Sequence, residues 1–147
     1  MEDLIERVTN GNPTAVKVVL ASVAVALAAY QVLLMAVGYG KLRLPFLNPK
    51  AASFTHRAVG DAIVAVTIVV AFMCIGYFGF EDASGEEVRA TFHVIFALLL
   101  LATIALKITV IRRWHQLGRY LPALGLTVLV LFVLTWITSA GDYLMGW

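Results

Sequence analysis

The sequence predicts an all-α integral membrane four-helix bundle, up-down-up-down, with both termini on the outer side. Three observations predict it. Four apolar runs are each long enough to cross a hydrocarbon core of about 30 Å, which takes roughly 20 residues at about 1.5 Å per residue. Hydrophobic residues make up 61% of the 147-residue chain and the mean hydropathy is +0.90. A soluble domain is ordinarily roughly 45–50% apolar and has no interior large enough for that excess. Charged residues are sparse inside the runs and crowd between them. The chain reads as one domain without internal repeats or low-complexity tracts.

The first eleven residues carry Glu2, Asp3, Glu6 and Arg7 and lack the basic start and apolar core of a cleavable signal peptide. They read equally as a short surface helix with Leu4, Ile5 and Val8 on one face, or as an acidic tail. The first span covers about residues 14–38. It is entered through Asn12-Pro13, a cap followed by proline at the first helical position, and is broken by Gly38, Gly40 and Pro45. The second span, about 51–79, is entered through a second such pair, Asn48-Pro49. The third, about 86–114, opens on Ser84-Gly85-Glu86-Glu87, a capping box in which Ser84 and Glu87 each satisfy a free N–H of the other. The fourth, about 122–143, starts at Pro122. Short connections make consecutive helices antiparallel neighbours.

Charge predicts the orientation. Lys41, Arg43, Lys50, Arg57, Arg112, Arg113 and Arg119 fall on one side, and every acidic residue except Asp61 falls on the other. The positive-inside rule puts the first set in the cytoplasm. Trp114, Tyr120, Tyr77, Phe78, Tyr143 and Trp147 lie near the borders, where amphipathic rings settle. The net charge of +2 calls for no nucleic-acid partner. The one cysteine, Cys74, allows no intrachain disulfide and reads as a small apolar residue.

Polar groups at membrane depth are costly, so each needs a reason. The set is His56, Asp61, His93, Lys107 and, at the border, His115. Counting outward from a turn near Asp82 puts His93 level with about Ala71, close to Met73, and His56 level with about Ile108, beside Lys107. His115 falls about 10 Å further toward the cytoplasm than His56. His93 and Lys107 project from nearly the same face about 21 Å apart, the separation of two sites stacked across a bilayer. Imidazole is a strong axial ligand for haem iron and methionine a known partner. His93 with Met73 therefore suits an outer haem. For an inner haem His56 is the first ligand, with His115 better in chemistry and Lys107 better in level as its partner. Gly60, one turn from His56, leaves room for a flat macrocycle, and Arg57, Arg112 and Arg113 form a rim suited to propionates. The plainer readings are a salt bridge of Asp61 with Lys107 or Arg57, and Met73 as core filler.

The stretches His56-Arg57-Ala-Val-Gly60 and Arg89-Ala-Thr-Phe-His93 resemble small bacterial membrane cytochromes of the cytochrome b561-like and ferric-reductase-like kind. The Trp136-Ile-Thr-Ser139-Ala ending resembles uncharacterised four-helix bacterial relatives of that group. The resemblance covers most of the chain. It implies a four-helix core holding b-type haem (heme b) between histidines and passing electrons to or from quinones or redox partners. Those families usually supply two histidines per haem. With three in all, and Met73-Cys74 where another is expected, this chain has too few for two bis-histidine haems. One haem, one with a methionine ligand, or a relative that has lost its haem is what the resemblance leaves.

The expected function is thus a multi-pass subunit of a bacterial or archaeal cytoplasmic membrane that carries electrons within a larger respiratory complex, in contact with lipid and other membrane subunits. It reads as an electron-transfer subunit rather than a stand-alone catalyst, since reaction at a substrate is not implied: there is no Ser-His-Asp set, no Cys/His cluster and no phosphate loop. The alternative is a cofactor-free accessory subunit, favoured by Ala21, Ala24 and Ala28, which recur at helical spacing and let another helix approach. A carrier working through Asp61 and Lys107 would need more polar groups at depth. Tyr30 and Gln31 are candidates for quinone contact, and read first as interhelical hydrogen-bonding groups.

Overall fold

A computed structural model describes residues 2–45, 47–78 and 87–145. They form α1 (Glu2–Val8), α2 (Pro13–Gly38), α3 (Pro49–Met73), α4 (Glu87–Arg112), α5 (Leu121–Trp136) and α6 (Asp142–Met145). A π-helical turn, Cys74–Phe78, prolongs α3, a second, Ile137–Gly141, joins α5 to α6, and a 3-10 helix, His115–Tyr120, leads into α5. Among the described residues there is no strand, only one bridge between Leu44 and Leu47. Four helices are long and apolar enough to cross a membrane. The Ser84 capping box, the turn near Asp82, Gly79 and Trp147 lie outside the described residues.

Local chemistry sets the ends. Asn12 and Asn48 each accept a hydrogen bond from the backbone N–H three residues on, at 3.1 Å from Ala15 and 2.8 Å from Ala51, with proline next in line. At the far end of α2, Gly40 adopts φ +68°, its N–H reaches the Val37 carbonyl, and the Lys41 N–H reaches that of Ala36. This is a Schellman motif, which closes two carbonyls that lipid cannot satisfy. α4 stops at Arg112, short of the expected residue 114. The Arg113 and Trp114 N–H groups both turn back to the Thr109 carbonyl, and the chain tightens into the 3-10 helix. Of the two readings of the first residues, the helix is the one observed, although Leu4 and Val8 remain exposed.

Neighbouring spans run in opposite senses. Gln31 of α2 meets His56 of α3, and Gly38 meets Ser53. Ser22 meets Trp136, and Met35 meets Gly125 of α5. On α4, His93 meets Thr135 and Arg89 meets Thr138. The expectation that all consecutive helices are neighbours fails at one place. α2 packs along both α3 and α5, and α4 along α5, while the backbones of α3 and α4 hardly approach. The order around the bundle is therefore α3, α2, α5, α4, open between the first and last.

The cause lies in side-chain size. Ala24 and Ala28 of α2 are buried against Val128, Leu131 and Phe132 of α5, with Ile63 and Leu100 closing the cluster. Small residues let these two backbones come close, which in lipid favours association through dispersion contacts. The alanine stripe that would suit a partner's helix is spent inside the chain. A second cluster, Leu34, Val37 and Ala52, ties α2 to the start of α3. Trp136 donates its indole N–H to the Ser22 hydroxyl at 2.8 Å, pinning the end of α5 to α2.

A Cβ at Gly40 would meet nothing within 4 Å, so only backbone strain opposes a side chain there. Gly40→Val is expected to lower the unfolding free energy in micelles by about 1–2 kcal/mol, the cost of a left-handed L-residue. Gly118→Ala, with open space and no such φ, is the neutral control. Equal denaturation midpoints for the two variants would refute this account of the α2 terminus.

Candidate functional site

Where α3 and α4 diverge, the bundle leaves a half-open cavity of about 920 Å³ bounded by α2, α3, α4 and α5. This is near the upper end of ordinary ligand sites. It runs from the apolar level of Ala28, Ile63 and Val128 to the basic end of the bundle at Tyr39, Arg57 and Arg112. His56 and Lys107 both line it, and so do Gly60 and Asp61.

His56 is held by a reciprocal pair of bonds. Gln31 donates from Nε2 to the His56 carbonyl at 2.7 Å, and His56 Nδ1 lies 3.3 Å from the Gln31 carbonyl. A carbonyl only accepts, so Nδ1 carries the proton and Nε2 keeps the lone pair of the neutral ring. That is how metal-binding imidazoles are usually oriented by a neighbouring acceptor. No described residue bonds Nε2. Gly60 lines the cavity and also faces Gln31: a Cβ there would stand 2.8 Å from Gln31 Nε2. The missing side chain makes room for the glutamine that positions the histidine.

One other expectation changes. Asp61 and Lys107 share the cavity, yet among the described residues no ion pair joins Lys107 to Asp61, nor Asp61 to Arg57. Asp61 is exposed at the opening between α3 and α4, whereas Lys107 is half-buried. Met73 is buried on α3. His93 directs its Nδ1 toward α5. Its Nδ1 lies 3.2 Å from the Thr135 carbonyl and 3.2 Å from the Thr138 hydroxyl, and Arg89 donates to the Thr138 carbonyl at 3.3 Å. His93 therefore acts as a clasp between α4 and α5, about three turns from Ile104, where the cavity begins on α4.

Arg113 is exposed beyond the cavity wall, and His115 opens the 3-10 helix at the same end. The cavity adds a residue that the sequence did not single out. Met35, one turn from Gln31, lines it and lies with its Cε 3.5 Å from where a Gly125 Cβ would stand. Its spacing from Gln31 was the available signal. Among the described residues no group of three or more His, Cys, Asp or Glu side chains could hold a metal ion by themselves.

The Gln31–His56 bonds and Gly60 form one unit, so their effects should not add. Gly60→Ala is expected to cost roughly 0.6–1.7 kcal/mol in micelles, the scale of an interhelical hydrogen bond in lipid, and much less in a Gln31→Ala background. Additive losses in a double-mutant cycle would show that the glycine serves something other than the glutamine.

No curated protein and no solved structure matches this chain. A family model matches residues 5–146, nearly the whole length. The chain therefore belongs to that family, a family of unknown function (DUF6529).

Proposed function

We propose that the chain is a membrane-embedded b-type cytochrome-like subunit. It holds one haem in the cavity at its basic end and carries electrons between a quinone or redox partner and a larger respiratory complex. The single observation that carries this reading is His56 on the cavity wall, with Nδ1 committed to the Gln31 carbonyl and Nε2 left as the lone-pair nitrogen. The surroundings suit the group. The inner walls are aliphatic, the volume is ample, and Arg57 and Arg112 stand at the end where propionates would emerge.

His56 would supply the axial nitrogen, and Met35 is the thioether available in the same cavity. A bound haem supplies reversible one-electron transfer, at a potential set by its ligands and its burial. The residues of the chain do the rest. Gln31 keeps the imidazole in one tautomer, Ile63, Ile104 and Val128 exclude water from the deep end, and the arginines neutralise acidic groups at the mouth. His93 has no second iron ligand among its described hydrogen-bonding partners, so the reading uses one haem, not two. The excess of Lys and Arg at the cavity end favours a cytoplasmic position for it, with both termini outward, in a bacterial or archaeal inner membrane.

Absorbance spectra of the protein purified from haem-replete cells test the reading. The oxidised form should show a Soret band that shifts on reduction with dithionite, with sharpened α-bands. His56→Ala should abolish that signature, while His93→Ala should keep it and lower thermal stability. A colourless wild-type protein that also takes up no added haem would sink the proposal. Colour that survives His56→Ala would sink the site.

A further inference from the structure

The cavity wall carries more positive than negative charge. Arg57, Lys107 and Arg112 face it, with Asp61 as the one carboxylate, and Tyr39 and His56 complete its titratable groups. The arginines stand at the mouth, where water and lipid headgroups reach them. Lys107 is different. It sits five residues inside Arg112 on α4, about 7–8 Å deeper, beside Ile104 and Ile108 and across from His56. Among the described residues it has no ion pair, although Asp61 shares the cavity. An ammonium group kept at this depth without a counter-ion from the protein is costly unless something else supplies the charge.

We infer that Lys107 is the deep recognition group of the cavity for a carboxylate borne on an apolar body. Resting on the cavity being a ligand site, as proposed above, this reading specifies what the site selects: an amphiphilic acid whose hydrocarbon part fills the aliphatic end and whose anion meets Lys107. The opening between α3 and α4, where Val64, Ile108 and Ile111 line the wall, gives such a ligand a route from the bilayer. A porphyrin carboxylate and a fatty-acid carboxylate share this chemistry, and the test separates them. Lys107 positions the ligand through its acid group; His56 is not needed for that step.

The experiment uses the full chain in a neutral detergent and four probes: protoporphyrin IX, its dimethyl ester, palmitate and methyl palmitate. Metal-free protoporphyrin removes iron ligation from the comparison. Wild type should bind the preferred acid at least tenfold more tightly than its ester, by fluorescence titration for the porphyrins and by competition for the lipids. Lys107→Met should bring that ratio to about one, and Lys107→Arg should restore it. Metal-free porphyrin and palmitate carry no iron, so the ratio is read without the haem spectrum, and failure of the haem reading and failure of this one are distinguishable. An acid preference confined to palmitate upholds the role of Lys107 and assigns the carboxylate to a lipid. Equal binding of acids and esters by wild type, a measurement that needs no variant, overturns the inference. So does a preference that Lys107→Met leaves unchanged.

Discussion

Inside a bilayer there is no water to complete a hydrogen bond, so every polar side chain between the helices has to be satisfied by protein or by ligand. The Gln31–His56 pair meets that constraint in both directions: an amide donates to the backbone of the next helix, and an imidazole donates back. The rest of the basic half is arranged around it. α2 and α3 are fixed in register by this pair and by the Leu34, Val37 and Ala52 contact beside it. α4 and α5 have a separate clasp at His93. The two helix pairs then meet chiefly along α2 and α5, where Ala24 and Ala28 let the backbones come close. The cavity is what remains between pairs that are each well fastened and joined along one seam.

Much of this was legible in the chain. The four spans follow from length and hydropathy, and the Asn-Pro entries of α2 and α3 follow from the need to satisfy the first N–H groups. Asking which polar groups sit inside apolar runs was enough to single out His56 and Lys107, which line one cavity. What the chain did not disclose was which helices touch. Closeness in sequence suggested that α3 and α4 pack together, but packing is decided by complementary surfaces, and Ala24 and Ala28 give α2 the better fit to α5. The same gap hid the use of Gly60 and the presence of Met35 in the cavity, since both depend on a facing helix. Asp61 and Lys107 looked like natural partners from their charges alone; the opening between their helices keeps them from pairing.

The two histidines illustrate how one side-chain chemistry serves different ends. Both donate from Nδ1 to a carbonyl of a neighbouring helix. His93 adds the Thr138 hydroxyl and lies at the joint where α5 changes from α- to π-helical winding, so its bonds brace a locally rewound backbone. His56 has the same first bond but borders a large cavity whose walls carry three cations. The difference in role comes from what lies beyond the ring, which no motif around either histidine specifies.

The empty place at Gly60 has an evolutionary consequence. Positions 31 and 60 draw on a single small volume, one occupied by the glutamine amide and the other kept bare to admit it. A descendant that gained bulk at 60 would have to give up length at 31, and with it the brace on His56. The two sites should therefore diverge as a pair, and a relative that has traded both away would keep the four spans and leave the imidazole free to turn.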